Sequence, residues 1–209
     1  MALILASASP RRRELLATLG LPFAVEPPDI DEDAAEADPE RLATRLALRK
    51  ARAVAVRHPA DAVIGADTVV VLEGRALGKP RDAAEAAAML AALRGRGHRV
   101  FTGVAVVAGA RSGVAAASTD VTMRDYGDDE IARYIARGEP FDKAGGYAIQ
   151  DPQLAPVAAV EGCTCVVVGL PLWTLRRLLR EVAGLETPPP DLARCRACPL
   201  RGTVPRGDA

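Results

Sequence analysis

The sequence predicts an α/β domain built on a mixed, twisted sheet with flanking helices, and three observations carry that prediction. Short β-branched runs interleave with segments whose apolar residues recur at helical spacing through most of the 209 residues. Two of the runs, Val100 to Val107 and Val114 to Met123, flank the turn-rich GARSG as a hairpin, so the sheet includes antiparallel pairs. Hydrophobic residues make up 49% of the chain, enough for one sizeable core, and aromatics only 3%, so aliphatic side chains must build it.

Leu3 to Ala6 reads as a short buried strand. Ser9 and Pro10 then open a helix that carries the Leu15, Leu16, Leu19 stripe and stops at Gly20, because Ser caps a helix, Pro starts it and Gly ends it. Phe23 to Val25 is a second short strand, and the apolar spacing from Arg41 to Val56 predicts a long helix ended by His58 and Pro59. Ala62 to Leu72 holds the cluster VIGADTVVVL, turns at Glu73 and Gly74, and returns through Arg75, Ala76 and Leu77 as a small hairpin. Asp82 caps the Ala-rich helix that leads into the long hairpin. Asp128 to Ala136 reads as a short helix, AGGYAIQ as a glycine-rich turn into a strand, Thr164 to Val168 as another strand, and Leu172 to Val182 as the last amphipathic helix. The domain is thus expected over residues 1–184. Residues 185–209, with a triple proline, scattered Arg and few large apolar residues, cannot bury a core of their own and are expected as a disordered Pro/Arg-rich tail.

Charge narrows the function classes. Lys plus Arg number 27 against 27 Asp plus Glu, a balance that argues against a surface built to coat nucleic acid or anionic membrane. The few aromatics disfavour stacking platforms for single strands. The opening MALILASASPRRRELL has too short an apolar run, and its charges on the wrong side, for a secretory signal, so a cytoplasmic protein is expected. The four cysteines, 163, 165, 195 and 198, are too few and too unevenly placed for a disulfide-stapled fold. Cys195 and Cys198 form a CxxC, and Cys163 and Cys165 would share one face of a strand, the raw material of a four-thiolate zinc site. A second CxxC is missing, so the reading taken is reduced thiols.

The chemistry concentrates in a few places. Ser7, Ser9, Arg11, Arg12 and Arg13 cluster at the start of the first helix, where free backbone N–H groups favour an anion and cations without one are electrostatically out of place. Arg can hold two phosphate oxygens in its planar fork, and the serines add hydroxyls. A solvated basic turn is the plain alternative. No GxxxxGK[ST] occurs, so this is not a P-loop. Asp67 sits among valines in a strand, where a carboxylate is costly unless paired, hydrogen-bonded or metal-bound. Asp29, Asp31 and Glu32 form an acidic loop that matters only if it faces Asp67, since such runs usually face water. Lys50 and Lys79 can add charge for phosphate, although each taken singly reads first as a solvated lysine. His58 and His98 are isolated, and neither HExxH nor GxSxG is present.

Taken together, LILASASPRRRELL, ALRKARAV, VIGADTVVVLEGRALGKP, FTGVAVV, GEPFDKAGGYAIQ and GLPL resemble, in order and spacing, the Maf family of nucleoside triphosphate pyrophosphatases over about residues 3 to 182. The resemblance implies a mixed sheet with a central nucleotide-binding cleft, a homodimer, and hydrolysis of nucleoside triphosphates to monophosphate and pyrophosphate in cytoplasmic nucleotide housekeeping. It places Asp67 at the family's proton acceptor, Ser7, Arg11 and Arg12 in its phosphate-binding turn, and Glu32, Lys50 and Lys79 on the cleft. Arg12, Thr68 and Gln150 look like the set found in members preferring dTTP and UTP. The sister subclass acting on 7-methyl-GTP has Trp after SP and SDQ in place of ADT. Three departures stand out: Gly146 and Ala148 invert the usual AGAYGIQ, Asp151 replaces a common Gly, and the usual Asn before VVGLP is missing.

The expected mechanism is attack of water on the phosphoryl group next to the nucleoside, with Asp67 as base or water-orienting group. Magnesium or manganese, on the hard oxygens of Asp67 and Glu32, is the expected cofactor, and Arg and Lys stabilise the departing charge. Two rivals are a broad-specificity or modified-nucleotide pyrophosphatase and a non-catalytic nucleotide sensor regulating septum formation. A nucleoside triphosphate is the expected partner, with neither nucleic acid nor membrane.

Overall fold

A strand buried at every position needs cover on both faces, and Leu3–Ala6 (β1) is such a strand. The computed structural model describes residues 1–31 and 36–202. After β1 come Pro10–Ala17 (α1), Ala24–Val25 (β2), Pro39–Ala55 (α2), Ala62–Leu72 (β3), Arg75–Leu77 (β4) and Ala83–Leu93 (α3). Gly97–Ala108 (β5) and Arg111–Met123 (β6) form the long hairpin, followed by Asp128–Ala136 (α4) and two single 3₁₀ turns at Glu139–Asp142 and Ala144–Gly146. Val157–Glu161 (β7), Thr164–Val168 (α5), Leu172–Ala183 (α6) and Ala193–Arg196 (α7) complete the chain. One mixed sheet runs in the order β2-β1-β3-β5-β6-β7, with β4 also paired to β3. β1 is parallel to β2 and β3, and the other pairs are antiparallel.

Alternation along the strands divides the core in two. Ile4, Ala6, Val63, Ala105 and Val107 meet Ala47, Ala51 and Val54 of α2, whereas Leu3, Leu5, Ile64, Val104 and Val106 join a larger core with α1, α3, α4, α5 and α6. The α2 face is unusually close. A Cβ on Gly65 would lie 2.1 Å from the Ala47 carbonyl oxygen, and one on Gly103 would lie 2.4 Å from the Ala43 carbonyl. Two glycines in β3 and β5 and three alanines in α2 therefore let the helix settle onto the sheet.

Three expectations change. Thr164 to Val168 is helical rather than a strand: β6 already pairs with β7 on its outer side, and the segment lies over the sheet, where Val166 O accepts from Thr102 Oγ1 at 2.7 Å. Its β-branched composition was overridden by tertiary position. AGGYAIQ enters no strand, because Gly145 and Gly146, both at φ 71°, turn the chain repeatedly; the strand comes later, at the Ala-rich β7. The segment after Gly184 also differs from an uncovered tail up to Gly202. Leu185, Leu192 and Leu200 pack on the larger core, and Cys195 and Cys198 are buried. Trp173, the one tryptophan of the chain, supplies the platform: its Nε1 donates to Cys195 O at 3.1 Å, and the guanidinium groups of Arg176 and Arg201 stand 4.9 and 5.8 Å from its ring. The segment needs no core of its own because α6 lends it one. Residues 203–209 lie outside the described residues.

Candidate active site

β1 stops where Ala6 pairs with Gly65, and β4 begins to pair only at Val70. Between them, among the described residues, the β3 edge from Ala66 to Val69 has no strand beside it, and the chain leaving β1 turns away there. A cleft of about 580 Å³ opens on this gap, at the carboxyl end of a parallel strand, where open α/β sheets commonly place ligands. Ser7, Ser9, Arg11, Arg12, Lys50, Asp67, Thr68, Lys79 and Gln150 all line it. Residues far apart in sequence thus share one wall. Glu32 lies outside the described residues. Asp29 and Asp31 are exposed, and Asp31 O accepts from Arg49 Nη2 at 2.8 Å beside Lys50 on α2.

At the heart of the cleft, Lys50 Nζ donates to Asp67 Oδ1 at 2.6 Å, with side-chain exposures of only 7% and 10%. Asp67 is therefore paired, as a carboxylate among valines must be. The pairing depends on the close α2 contact, since Lys50 follows Ala47 by less than one turn.

The turn after β1 is held by its own side chains. Ser9 caps α1, its Oγ accepting from Arg12 N at 3.4 Å, and Ser7 Oγ accepts from Ser9 N at 3.2 Å. Arg12 donates in three directions: Nε to Gly169 O at 2.9 Å, Nη2 to Thr68 Oγ1 at 3.2 Å, and Nη1 to Ser7 Oγ at 3.3 Å. Thr68 Oγ1 in turn lies 3.0 Å from Thr102 Oγ1. Arg12 is thus a brace joining α1, β3 and the α5–α6 turn. Arg11 Nη1 donates to Asp142 Oδ2 at 2.9 Å, and Lys143 Nζ reaches the other oxygen of the same carboxylate at 2.6 Å. Burial works to raise Asp142, but the Lys143 and Arg11 cations outweigh it and hold the carboxyl below its usual range.

Lys79 and Gln150 are exposed on the cleft. The loop bearing Gln150 is fixed from behind. Asp151 takes both Arg137 nitrogens, at 2.9 and 3.0 Å, and the Leu154 and Gln153 amides, at 2.7 and 3.1 Å. Burial opposes ionisation of Asp151, but Arg137 and these amides prevail, so its carboxyl is held low. Ala148 N donates to Tyr134 OH at 3.0 Å, and Tyr147 OH lies 2.7 Å from His98 Nε2. Sequence reasoning marked Asp151 only as a departure and missed Arg137, Tyr134, Tyr147, Asp142 and Lys143 as supports. Arg137 follows α4 and Asp151 lies in a loop 14 positions on, so no shared helix or strand carried a local signal for the pair.

Among the described residues, no three His, Cys, Asp or Glu side chains stand ready around one metal-sized point. Asp67 offers one hard carboxylate in the cleft, and Asp142 is committed to Arg11 and Lys143. That donor set fits magnesium or manganese bound through one carboxylate and substrate phosphates, the usual magnesium arrangement, rather than an all-protein cage.

The Maf-like protein family model matches residues 2–182. A dTTP/UTP pyrophosphatase of Thermomicrobium roseum is 56% identical over 96% of this chain and 94% of its own length. Proteins of the same name from Symbiobacterium thermophilum and Moorella thermoacetica are 51% and 54% identical, covering 86% and 85% of this chain and 93% of each relative. A solved nucleoside-triphosphatase / dITP/XTP pyrophosphatase of Mycobacterium abscessus shares 20% identity at a TM-score of 0.41, over 60% of this chain and 76% of that one.

Proposed function

Since this chain belongs to the Maf family, we propose that it is a nucleoside triphosphate pyrophosphatase converting dTTP and UTP to the monophosphate and pyrophosphate, in cytoplasmic nucleotide-pool housekeeping. The observation that carries the reading is the buried Asp67–Lys50 pair beside a serine- and arginine-rich turn in one cleft. A binding module needs cations for phosphate, but it has no use for a carboxylate placed against them.

In this reading the triphosphate lies along the Ser7–Arg12 turn, with Lys50, Lys79 and Arg11 facing its charge. Water attacks the α-phosphorus, the bond from that phosphorus to the bridging oxygen breaks, and pyrophosphate leaves. Asp67 orients the water and takes its proton, while Lys50 holds the carboxylate in place and opposes charge build-up on the phosphates. A magnesium or manganese ion, held by Asp67 and the substrate's own oxygens, supplies further charge neutralisation when bound. Arg12 braces the turn and Thr68, and Gln150 meets the pyrimidine edge, its amide donating to one carbonyl and accepting from the ring N–H. A homodimer is part of the same proposal, as is the absence of nucleic-acid and membrane partners. Among the described residues no helix is long and apolar enough to cross a membrane.

Pyrophosphate release from a panel of nucleotides, with metal supplied and monophosphate identified, tests the activity. Tight nucleotide binding without turnover under every metal would replace the enzyme by a sensor. Sedimentation equilibrium decides the dimer.

A further inference from the structure

The four cysteines, from two segments of the chain, meet in one buried cluster behind the cleft. Cys163, Cys165, Cys195 and Cys198 are 4%, 1%, 1% and 6% exposed. Cys165 Sγ lies 3.6 Å from Cys195 Sγ, and the Cys163 thiol is close enough to those of Cys165 and Cys198 to interact with both. The sulfurs thus form a connected string, Cys198–Cys163–Cys165–Cys195. Cys163 and Cys165 flank Thr164 at the start of α5, and Cys195 and Cys198 bracket the end of α7.

We propose that this cluster is a structural zinc site, a closed tetrathiolate that clasps residues 185–202 onto the nucleotide-hydrolysing domain. In a tetrahedral zinc site with Zn–S of about 2.3 Å, sulfurs stand about 3.8 Å apart, close to the spacing already seen between Cys165 and Cys195. The sulfurs are not yet gathered around one point, and small χ1 rotations of thiols close such a string on an ion. Thiolates select a soft or borderline ion over magnesium or manganese, and four protein ligands leave no open position, so the site is structural rather than catalytic.

The placement gives the clasp a purpose. α5 links the cysteines to the cleft: it carries Cys165, its Val167 and Val168 line the cleft, and just beyond them Gly169 O accepts from Arg12. Fastening α5 from behind steadies the wall on which Arg12 and Thr68 rest. The site is independent of the pyrophosphatase reading and stands if that reading fails.

The test uses the full chain, purified without chelator from cells grown with zinc, and elemental analysis. One zinc per chain is expected, with all four thiols slow toward a thiol reagent until a chelator is added. Cobalt replacement should give the intense visible absorption of a tetrahedral thiolate site. The Cys195→Ser/Cys198→Ser variant should lose at least tenfold in zinc occupancy. A wild-type chain that neither carries zinc nor takes it up from buffered zinc overturns the proposal. So does a Cys165–Cys195 disulfide in non-reducing peptide mapping, or zinc retained at full occupancy in the double variant. Because the wild-type metal content and the cobalt spectrum need no substitution, a variant that fails to fold leaves the proposal decidable.

Discussion

Lys50 Nζ reaches Asp67 Oδ1 at 2.6 Å only because Gly65, two residues before Asp67 on the same strand, lets α2 rest directly on the sheet. Ion pairing in the cleft and helix-sheet packing are one feature here. Asp67→Asn keeps the volume, and its carbonyl can still accept from Lys50, but it cannot take a proton. We expect kcat to fall by at least about 100-fold, or about 2.7 kcal/mol, with nucleotide affinity retained by calorimetry. Turnover within about tenfold of wild type would remove Asp67 from the role of base.

Gly65→Ala tests the packing. Its Cβ would meet backbone, the Ala47 carbonyl oxygen at 2.1 Å and the Ala51 nitrogen at 2.7 Å, so the helix itself has to move. Overpacking of this kind costs about 1–3 kcal/mol or more. Urea unfolding should show that loss, and kcat should fall too because Lys50 moves with α2. An unchanged midpoint would mean that the helix is free to slide.

Base selectivity should reside in Gln150. We expect kcat/KM for UTP and dTTP to exceed that for CTP by roughly tenfold to a hundredfold, since an unpaired donor in the site costs about 1–3 kcal/mol. Gln150→Ala should flatten the ratio. Equal values in the wild type would indicate broad specificity, and a ratio that survives the substitution would place the reader of the base elsewhere on the cleft.

His98 makes stability depend on pH. Burial holds its pKa down, from the ordinary 6.5 to about 4, and its Nδ1 is buried without a hydrogen-bond partner. The unfolded chain therefore binds a proton as pH falls through 6.5, while the folded chain does not until about 4. Stability fully present above pH 6.5 should be lost progressively down to about pH 4, by roughly 3 kcal/mol from this group. Unfolding free energies of wild type and His98→Gln across that window should differ in slope. Parallel curves would show that His98 is protonated within the fold.

Truncation after Gly184 removes Leu185, Leu192, Leu200, Cys195 and Cys198 from the larger core and uncovers Trp173. At about 1.5–3 kcal/mol for each fully buried apolar side chain, the loss should reach several kcal/mol even with partial burial. Calorimetric melting of the shortened chain should fall clearly below that of the full chain. Coincident melting curves would mean that the segment rests on the domain without stabilising it.

Local patterning made much of this molecule legible. β1, β3 and α4 occupy the spans that their periodicity predicts, and Ser9 and Asp82 cap the helices they precede, because those features depend on neighbours a few residues away. Asp67 stood out for the same reason, as a carboxylate in an apolar strand. Tertiary structure alone decided the rest. Thr164–Val168 carries a strand-like composition and is helical because β7 holds the outer side of β6. Arg12 reads as a phosphate ligand in isolation, yet its partners include Gly169, 157 positions away. Asp151 became a support when it met Arg137, and the residues after Gly184 found in Trp173 a surface they could not build. A local sequence pattern records what a residue prefers beside its neighbours. Which distant group supplies its missing hydrogen bond, counter-ion or apolar cover is settled only when the whole chain closes.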